Sequence, residues 1–173
     1  HMRLLLVVTA RPDAQLAWEG LSPASPYRAT MLYTEGVSFL LEGDPNRAGP
    51  ILARALNLAT AAGSLPLAGL ILAEQCGVAA ERNDWAEVTT LAEQAAAIVE
   101  DGHFGDYWTS ALVYAWASRA AAHRGDVSRA RFYLGRASRL RPLLTYALPV
   151  VSAQALLEMT RAYITLGDPG GAA

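Results

Sequence analysis

The chain has 173 residues, 53% of them hydrophobic and 17% charged, with a formal net charge of −2. Its size allows one well-packed domain, and its near-neutral charge gives no electrostatic reason to expect nucleic acid or an anionic membrane as a partner. No apolar run reaches the roughly 20 residues of a membrane span, and the single cysteine cannot form an internal disulfide. These features indicate a cytoplasmic protein built from closely packed, alanine-rich helices.

Residues 1–24 are the least regular part of the chain. His1 and Met2 resemble a cloning remnant, and the apolar run 4–8 fits either a short buried strand or half of a degenerate helical repeat. We favour a helix within residues 3–20 because the sequence downstream is helical. A secretory signal fits poorly because no small-residue cleavage site follows before Pro12. We therefore divide the chain into a tag remnant with a degenerate or partial repeat, 1–24, and a repeat domain, 25–173.

The repeat domain is predicted to contain seven helices, with bounds at 26–42, 45–62, 66–82, 85–100, 107–124, 127–140 and 149–166. One dipeptide motif recurs at four corners, at intervals of 40, 42 and 42 residues: Gly43-Asp44, Asn83-Asp84, Gly125-Asp126 and Gly167-Asp168. Glycine or asparagine takes the left-handed conformation that ends one helix, and the aspartate caps the next helix. The predicted structural caps are Asp44, Asp84, Asp126 and Asp168.

Residue size recurs around these aspartates. Twelve positions upstream the residues are large, namely Leu32, Leu72, Tyr114 and Leu156, and eight upstream they are small, namely Gly36, Cys76, Ser118 and Thr160. Such alternation lets two helices cross closely. The pattern predicts an all-α fold, a tetratricopeptide-like stack of helical hairpins (an α-α superhelix) with about three and a half repeats. Because the last repeat lacks its second helix, we expect the chain to be a piece of a longer protein.

The first helix of each repeat is predicted to line a concave face. Seven positions upstream of the aspartates stand Val37, Gly77, Arg119 and Arg161, and three upstream stand Leu41, Glu81, His123 and Thr165. Arg119 and Arg161 occupy equivalent positions in adjacent repeats, and His123 lies one turn from Arg119. With Tyr33 and Glu81 on the same face, these residues form a candidate site for an anionic or polyhydroxy ligand. The alternative is that a solvated concave face is polar without binding a ligand.

Three segments carry a resemblance to a known family: Ala-Ala-Ala-His-Arg-Gly-Asp-Val at 120–127, Arg-Leu-Arg-Pro-Leu-Leu-Thr-Tyr-Ala-Leu-Pro at 139–149 and Thr-Arg-Ala-Tyr-Ile-Thr-Leu-Gly-Asp at 160–168. They resemble the tetratricopeptide-like region of large ATP-binding LuxR-type (MalT-like) transcriptional regulators of actinobacteria. In that family an ATPase module precedes the repeats and a DNA-binding module follows them. The resemblance implies a sensor or interaction domain that binds an inducer, peptide or partner protein and couples it to oligomerisation.

No catalytic or cofactor motif is present in the sequence. There is no phosphate loop and no basic recognition helix, so we expect no cofactor, no direct contact with nucleic acid and no membrane partner. Cys76 stands at a packing position and His103 has too few potential ligands nearby for a metal site, so we expect neither a catalytic residue nor a metal. The expected function is therefore not enzymatic. A stand-alone protein-docking scaffold without a small-molecule ligand is the alternative to the sensor domain.

Two surfaces remain as candidates for contact with a partner. The five arginines within 127–141 spread around their helix, which fits a solvated outer face or a surface for an anionic partner. Along the final helix an apolar stripe recurs at i, i+3, i+7 and i+10. We expect a homodimer, a crystal contact or residues 3–20 to cover this stripe, which consists of Leu156, Met159, Tyr163 and Leu166.

Overall fold

A computed structural model of the chain describes residues 25–145, 149–168 and 170–171. Within this range there are seven α-helices, one short 3-10 helix and no β-strand. The α-helices are α1 (Pro26–Leu41), α2 (Pro45–Ala61), α3 (Leu65–Glu81), α4 (Trp85–Asp101), α5 (Ser110–His123), α6 (Val127–Arg139) and α7 (Pro149–Thr165), and the 3-10 helix (Arg141–Leu143) follows α6. The predicted helix within residues 3–20 lies outside the described residues.

Consecutive helices pack as hairpins, and the hairpins stack on one another. Helix α1 packs on α2, α3 on α4 and α5 on α6, while α5 also contacts both α3 and α7 directly. This arrangement confirms the predicted all-α stack of helical hairpins, with α7 as a single helix after three hairpins. None of the described helices is long and apolar enough to cross a membrane.

The recurring dipeptides form the corners of the stack. The first residue of each dipeptide has a positive φ, and the backbone N–H of the aspartate donates to the carbonyl five residues earlier at 2.9 Å in all four copies. The aspartate carboxylate then accepts a hydrogen bond from the backbone N–H three residues later, at 3.0–3.1 Å. At Asp44, Asp84 and Asp126 this last contact satisfies a backbone donor that a helix start otherwise leaves unpaired.

The small residues eight positions upstream of the first three corner aspartates lie where the two helices of a hairpin cross. A Cβ atom at Gly36 would lie 2.7 Å from a side-chain carbon of Leu52, so only glycine fits this crossing. In the next two hairpins the side chain reaches the partner helix. The Cys76 thiol lies 3.7 Å from the Val88 carbonyl, and the Ser118 hydroxyl donates to the Ala130 carbonyl at 2.8 Å. Size and hydrogen bonding therefore both explain the repeated small position.

Helix α5 begins at Ser110, three residues later than the sequence pattern predicts. The intervening residues form turns, and the Ser110 hydroxyl donates to the carbonyl of Phe104 at 2.7 Å. From Ser110 to Ser118 every residue of α5 is buried. This burial follows from the position of α5, since it packs against α3, α4, α6 and α7. It also brings the inner-facing residues of α3, α5 and α7 together.

Candidate functional site on the inner helix face

Polar side chains from four helices meet on the face formed by the first helices of the repeats. We refer to them as the inner-face cluster, which consists of Tyr33 (α1), Glu74 (α3), Arg119 (α5), Gln154, Glu158 and Arg161 (all α7). The cluster contains two buried carboxylates, and each is bonded to residues from other helices.

Glu74 connects three helices although it is fully buried. The Tyr33 hydroxyl donates to its Oε1 at 3.2 Å, and Gln154 Nε2 donates to its Oε2 at 2.8 Å. Burial raises the pKa of this carboxyl to about 7, the negative charge of Glu158 adds to the effect, and the two hydrogen bonds oppose it. Around neutral pH both protonation states of Glu74 are therefore populated, so its charge is sensitive to small changes in its surroundings.

Glu158 is buried beside two arginines. Its Oε2 accepts a hydrogen bond from Arg119, and its Oε1 accepts one from Arg161 at 2.7 Å. The Arg119 side chain is 16% exposed and the Arg161 side chain is 48% exposed. The two arginines predicted to bind an anionic or polyhydroxy ligand thus do lie together, but the carboxylate of Glu158 already occupies the position between them.

Aromatic rings hold Arg119 in place. Its guanidinium carbon lies 5.0 Å from the ring centroid of Trp85 and 4.9 Å from that of Trp116, which is the geometry of cation–π contacts. His123 stacks on Trp85 with ring centroids 4.1 Å apart and an interplanar angle of 7°. We call these four residues the stacked column. Its exposed end is the imidazole of His123, and its other end lies in the inner-face cluster.

The structure brings together most of the residues that the sequence pattern singled out. Tyr33, Arg119 and Arg161 belong to the inner-face cluster, and His123 joins it through the stacked column. Glu81 ends α3 and is exposed, and among the described residues its carboxylate has no hydrogen bond or ion pair. Glu81 is therefore not connected to the cluster.

Sequence reasoning did not select Glu74 and Glu158, although a signal for them was present. Both lie ten residues upstream of their corner aspartates, so they are equivalent positions of the second and fourth repeats. The first and third repeats have Thr34 and Trp116 at this position, which hides the chemical similarity. The remaining indication that these two glutamates belong to a site was their position in the middle of helices rich in alanine and leucine.

Cys76 has no nucleophilic character in this fold. Its side chain is fully buried and lies against the carbonyl of Val88. Burial raises the pKa of its thiol far above the ordinary value, and the charge of Glu74 adds to the effect. The protonated thiol therefore serves as a packing group.

The apolar stripe on α7 is only partly exposed. Met159 is buried within the chain, and the hydroxyls of Tyr163 and Ser138 share a hydrogen bond at 2.8 Å. Leu156 is 38% exposed, whereas the equivalent residues of the first three repeats are buried. The larger exposed apolar side chains of α7 are Leu156, Leu157 and Ile164.

Neither protein-family models nor curated protein sequences give a match to this chain. The functional conclusion therefore depends on the geometry of the inner-face cluster and of the surfaces around it.

Proposed function

We propose that this chain is the sensor or interaction domain of a cytoplasmic LuxR-type transcriptional regulator, and that ligand or partner binding acts on the inner-face cluster. The observation that carries the proposal is the burial of Glu74 and Glu158 on one face of a helical-repeat stack. A buried ion pair contributes little to stability compared with an apolar replacement of the same size. A cluster of this kind is therefore better explained by a specific or responsive contact than by the needs of the core.

The connections of Glu74 provide a physical route for such a response. Tyr33 and Gln154 tie the first and last described helices to α3 through one carboxyl group. A ligand that takes over either hydrogen bond would change how α1 and α7 are held against α3. Hairpins that shift against one another are a common form of two-state transition. By the resemblance noted above, the transition would be passed to the ATPase and DNA-binding modules of the same regulator.

The chemistry of the cluster favours a hydroxyl-rich ligand over a simple anion. An anion approaching Arg161 would meet the negative charge of Glu158 at hydrogen-bond distance from the same guanidinium. A hydroxyl group can instead donate to Glu158 and accept from Arg161 at the same time. The proposed inducer class is therefore a small polyhydroxy compound.

The proposal is tested by calorimetric titration of the full chain with a panel of neutral sugars and sugar phosphates. Arg161→Gln should weaken binding by about tenfold, because it removes a charged hydrogen-bond donor while Arg119 still pairs with Glu158. Arg141→Gln is the matched control, since Arg141 is exposed on the 3-10 helix away from the cluster. If no compound in the panel binds, or if both variants bind equally well, the cluster is not the sensing site.

The exposed apolar residues of α7 favour a second function, that of a protein-docking scaffold without a small ligand. Leu157 is 47% exposed and Ile164 is 62% exposed, and because they are seven residues apart they lie on the same side of α7. If docking is the function, Leu157→Ser with Ile164→Ser should abolish binding of the purified ATPase or DNA-binding module. The same double substitution should leave sugar binding unchanged if the sensor function is correct.

A further inference from the structure

The outward side of α6 combines three features that solvent exposure alone does not explain. We define the α6 outer face as the side opposite the buried residues of this helix. It consists of Arg131, Phe132, Gly135 and Arg139. At 100° per residue these four residues fall on one side of the helix, opposite Ala130, Tyr133, Leu134 and Ala137.

The first feature is unbalanced positive charge. Helix α6 contains four arginines and no acidic residue. Arg136 has an ion pair with Glu100 at 3.4 Å, whereas Arg131 and Arg139 have none among the described residues. Their charges are therefore available to a partner, and they lie about two helical turns apart.

The second feature is an exposed aromatic ring between these charges. Phe132 is 55% exposed, although α6 is otherwise one of the most polar helices of the stack. The ring edge contacts Tyr133, with centroids 5.3 Å apart, and the Arg136 guanidinium lies 5.6 Å from the Phe132 centroid. The ring is thus held in position by its neighbours while much of its surface stays open to a partner.

The third feature is a glycine in the middle of the helix. Gly135 has an ordinary helical backbone, and a Cβ atom built on it would meet nothing within 4 Å. Neither packing nor a positive φ requires glycine here, and glycine is a poor helix former. Beside Phe132 it leaves a notch that allows another backbone to approach α6 closely.

We infer that the α6 outer face docks an acidic amphipathic helix of another protein. Carboxylates spaced two turns apart on that helix would pair with Arg131 and Arg139, and an apolar side chain between them would pack on Phe132 above Gly135. Extended nucleic acid fits less well, because only two arginines of this face are without an ion pair among the described residues and the chain has a formal net charge of −2. This inference is independent of the proposed sensor function.

The test uses a fluorescein-labelled synthetic helical peptide and the full chain. The peptide carries glutamates on one side, two turns apart, with a leucine between them, and the control peptide has the same composition in scrambled order. Fluorescence anisotropy should show about tenfold tighter binding of the ordered peptide. Arg131→Glu with Arg139→Glu should remove this preference, and Phe132→Ala should weaken binding several-fold.

Two further variants distinguish docking at the α6 outer face from the effects of net charge and of stability. Arg54→Glu on α2 changes the net charge by the same amount as Arg131→Glu, at an exposed residue outside the α6 outer face. It should weaken peptide binding less than about twofold, because exposed charges beyond a Debye length are screened. Gly135→Leu should raise the thermal midpoint through better helix propensity and still weaken binding, because it fills the notch.

Several results would overturn the inference. Equal binding of the ordered and scrambled peptides, or equal effects of Arg54→Glu and Arg131→Glu, would leave only non-specific charge attraction. Undiminished binding to the Gly135→Leu variant would show that the peptide backbone does not approach α6 closely at Gly135. Tighter binding of a short DNA duplex would assign the face to nucleic acid. A dimer in sedimentation that Arg131→Glu with Arg139→Glu dissociates would assign it to a second copy of the chain.

Discussion

Replacing Glu74 by glutamine should stabilise the fold at alkaline pH and make the free energy of unfolding less dependent on pH. Glutamine has the same shape, and both hydrogen bonds of the buried carboxyl can be kept. The new carbonyl oxygen accepts from Gln154 Nε2, which lies 2.8 Å from the carboxylate in the native chain. The new amide group donates to the Tyr33 hydroxyl, whose distance from the carboxylate is 3.2 Å. The substitution therefore removes a titrating charge with little change in packing.

The magnitude follows from the pKa of the buried carboxyl. Burial raises the pKa of Glu74 from 4.5 to about 7 in the folded chain. At roughly 1.4 kcal/mol per pH unit, this difference corresponds to about 3 kcal/mol. Because the folded pKa is the higher one, the folded state binds more protons than the unfolded state between these values. The stability of the native chain should therefore fall as pH rises through this window and then stay at the lower level.

Urea denaturation followed by circular dichroism at pH values from about 5 to about 8 measures how the free energy of unfolding changes with pH. Across this pH range the free energy of unfolding of the native chain should fall by up to about 3 kcal/mol more than that of the Glu74→Gln variant. The reason is that only the native chain must ionise a buried group. Glu87→Gln on α4 is the control, since Glu87 is exposed and its side chain has no ion pair among the described residues. Parallel pH profiles for the native chain and the Glu74→Gln variant would refute the reasoning.

Three further sets of substitutions test the corners, the buried ion pair and the helix crossing. Asp84→Ala and Asp126→Ala should each lower the free energy of unfolding by about 1 kcal/mol in urea titrations, because each removes a helix cap. Arg119→Ala should cost about 3–5 kcal/mol by leaving Glu158 buried with one partner, whereas replacing both residues by leucine should recover most of that loss. A double variant as unstable as Arg119→Ala would contradict this. Gly36→Ala should cost about 1–3 kcal/mol by thermal denaturation because of overpacking; no measurable loss would contradict the close crossing.

The corners were predictable from the sequence because they are local structures. A glycine or asparagine followed by aspartate specifies the left-handed residue and the cap within a few positions, and repetition at a nearly constant interval reinforces the signal. The start of α5 was predicted less well because neighbouring residues alone do not determine it. The contact of Ser110 with Phe104 depends on how the preceding loop folds back, and no local pattern records that. The all-α hairpin stack thus followed from the sequence, while one helix boundary did not.

The candidate site was predictable only in part. The repeat register placed Arg119 and Arg161 on one face, and the structure does bring them together. Their shared partner Glu158 was missed because the equivalent positions differ in chemistry between repeats. The bond between Gln154 and Glu74 spans 80 residues. It depends on how tightly successive hairpins are wound, and this property of the whole stack is not encoded in any single repeat.

The central claim, that the inner-face cluster is the ligand-responsive surface, is tested most directly by NMR of the tryptophan indole N–H groups during sugar titration. Trp85 and Trp116 contact Arg119 in the stacked column, whereas Trp108 lies in the loop before α5 and serves as an internal reference. Binding of a polyhydroxy compound at the cluster should shift the Trp85 and Trp116 resonances and leave that of Trp108 in place. A compound that binds but shifts only Trp108, or none of these three resonances, would contradict the claim.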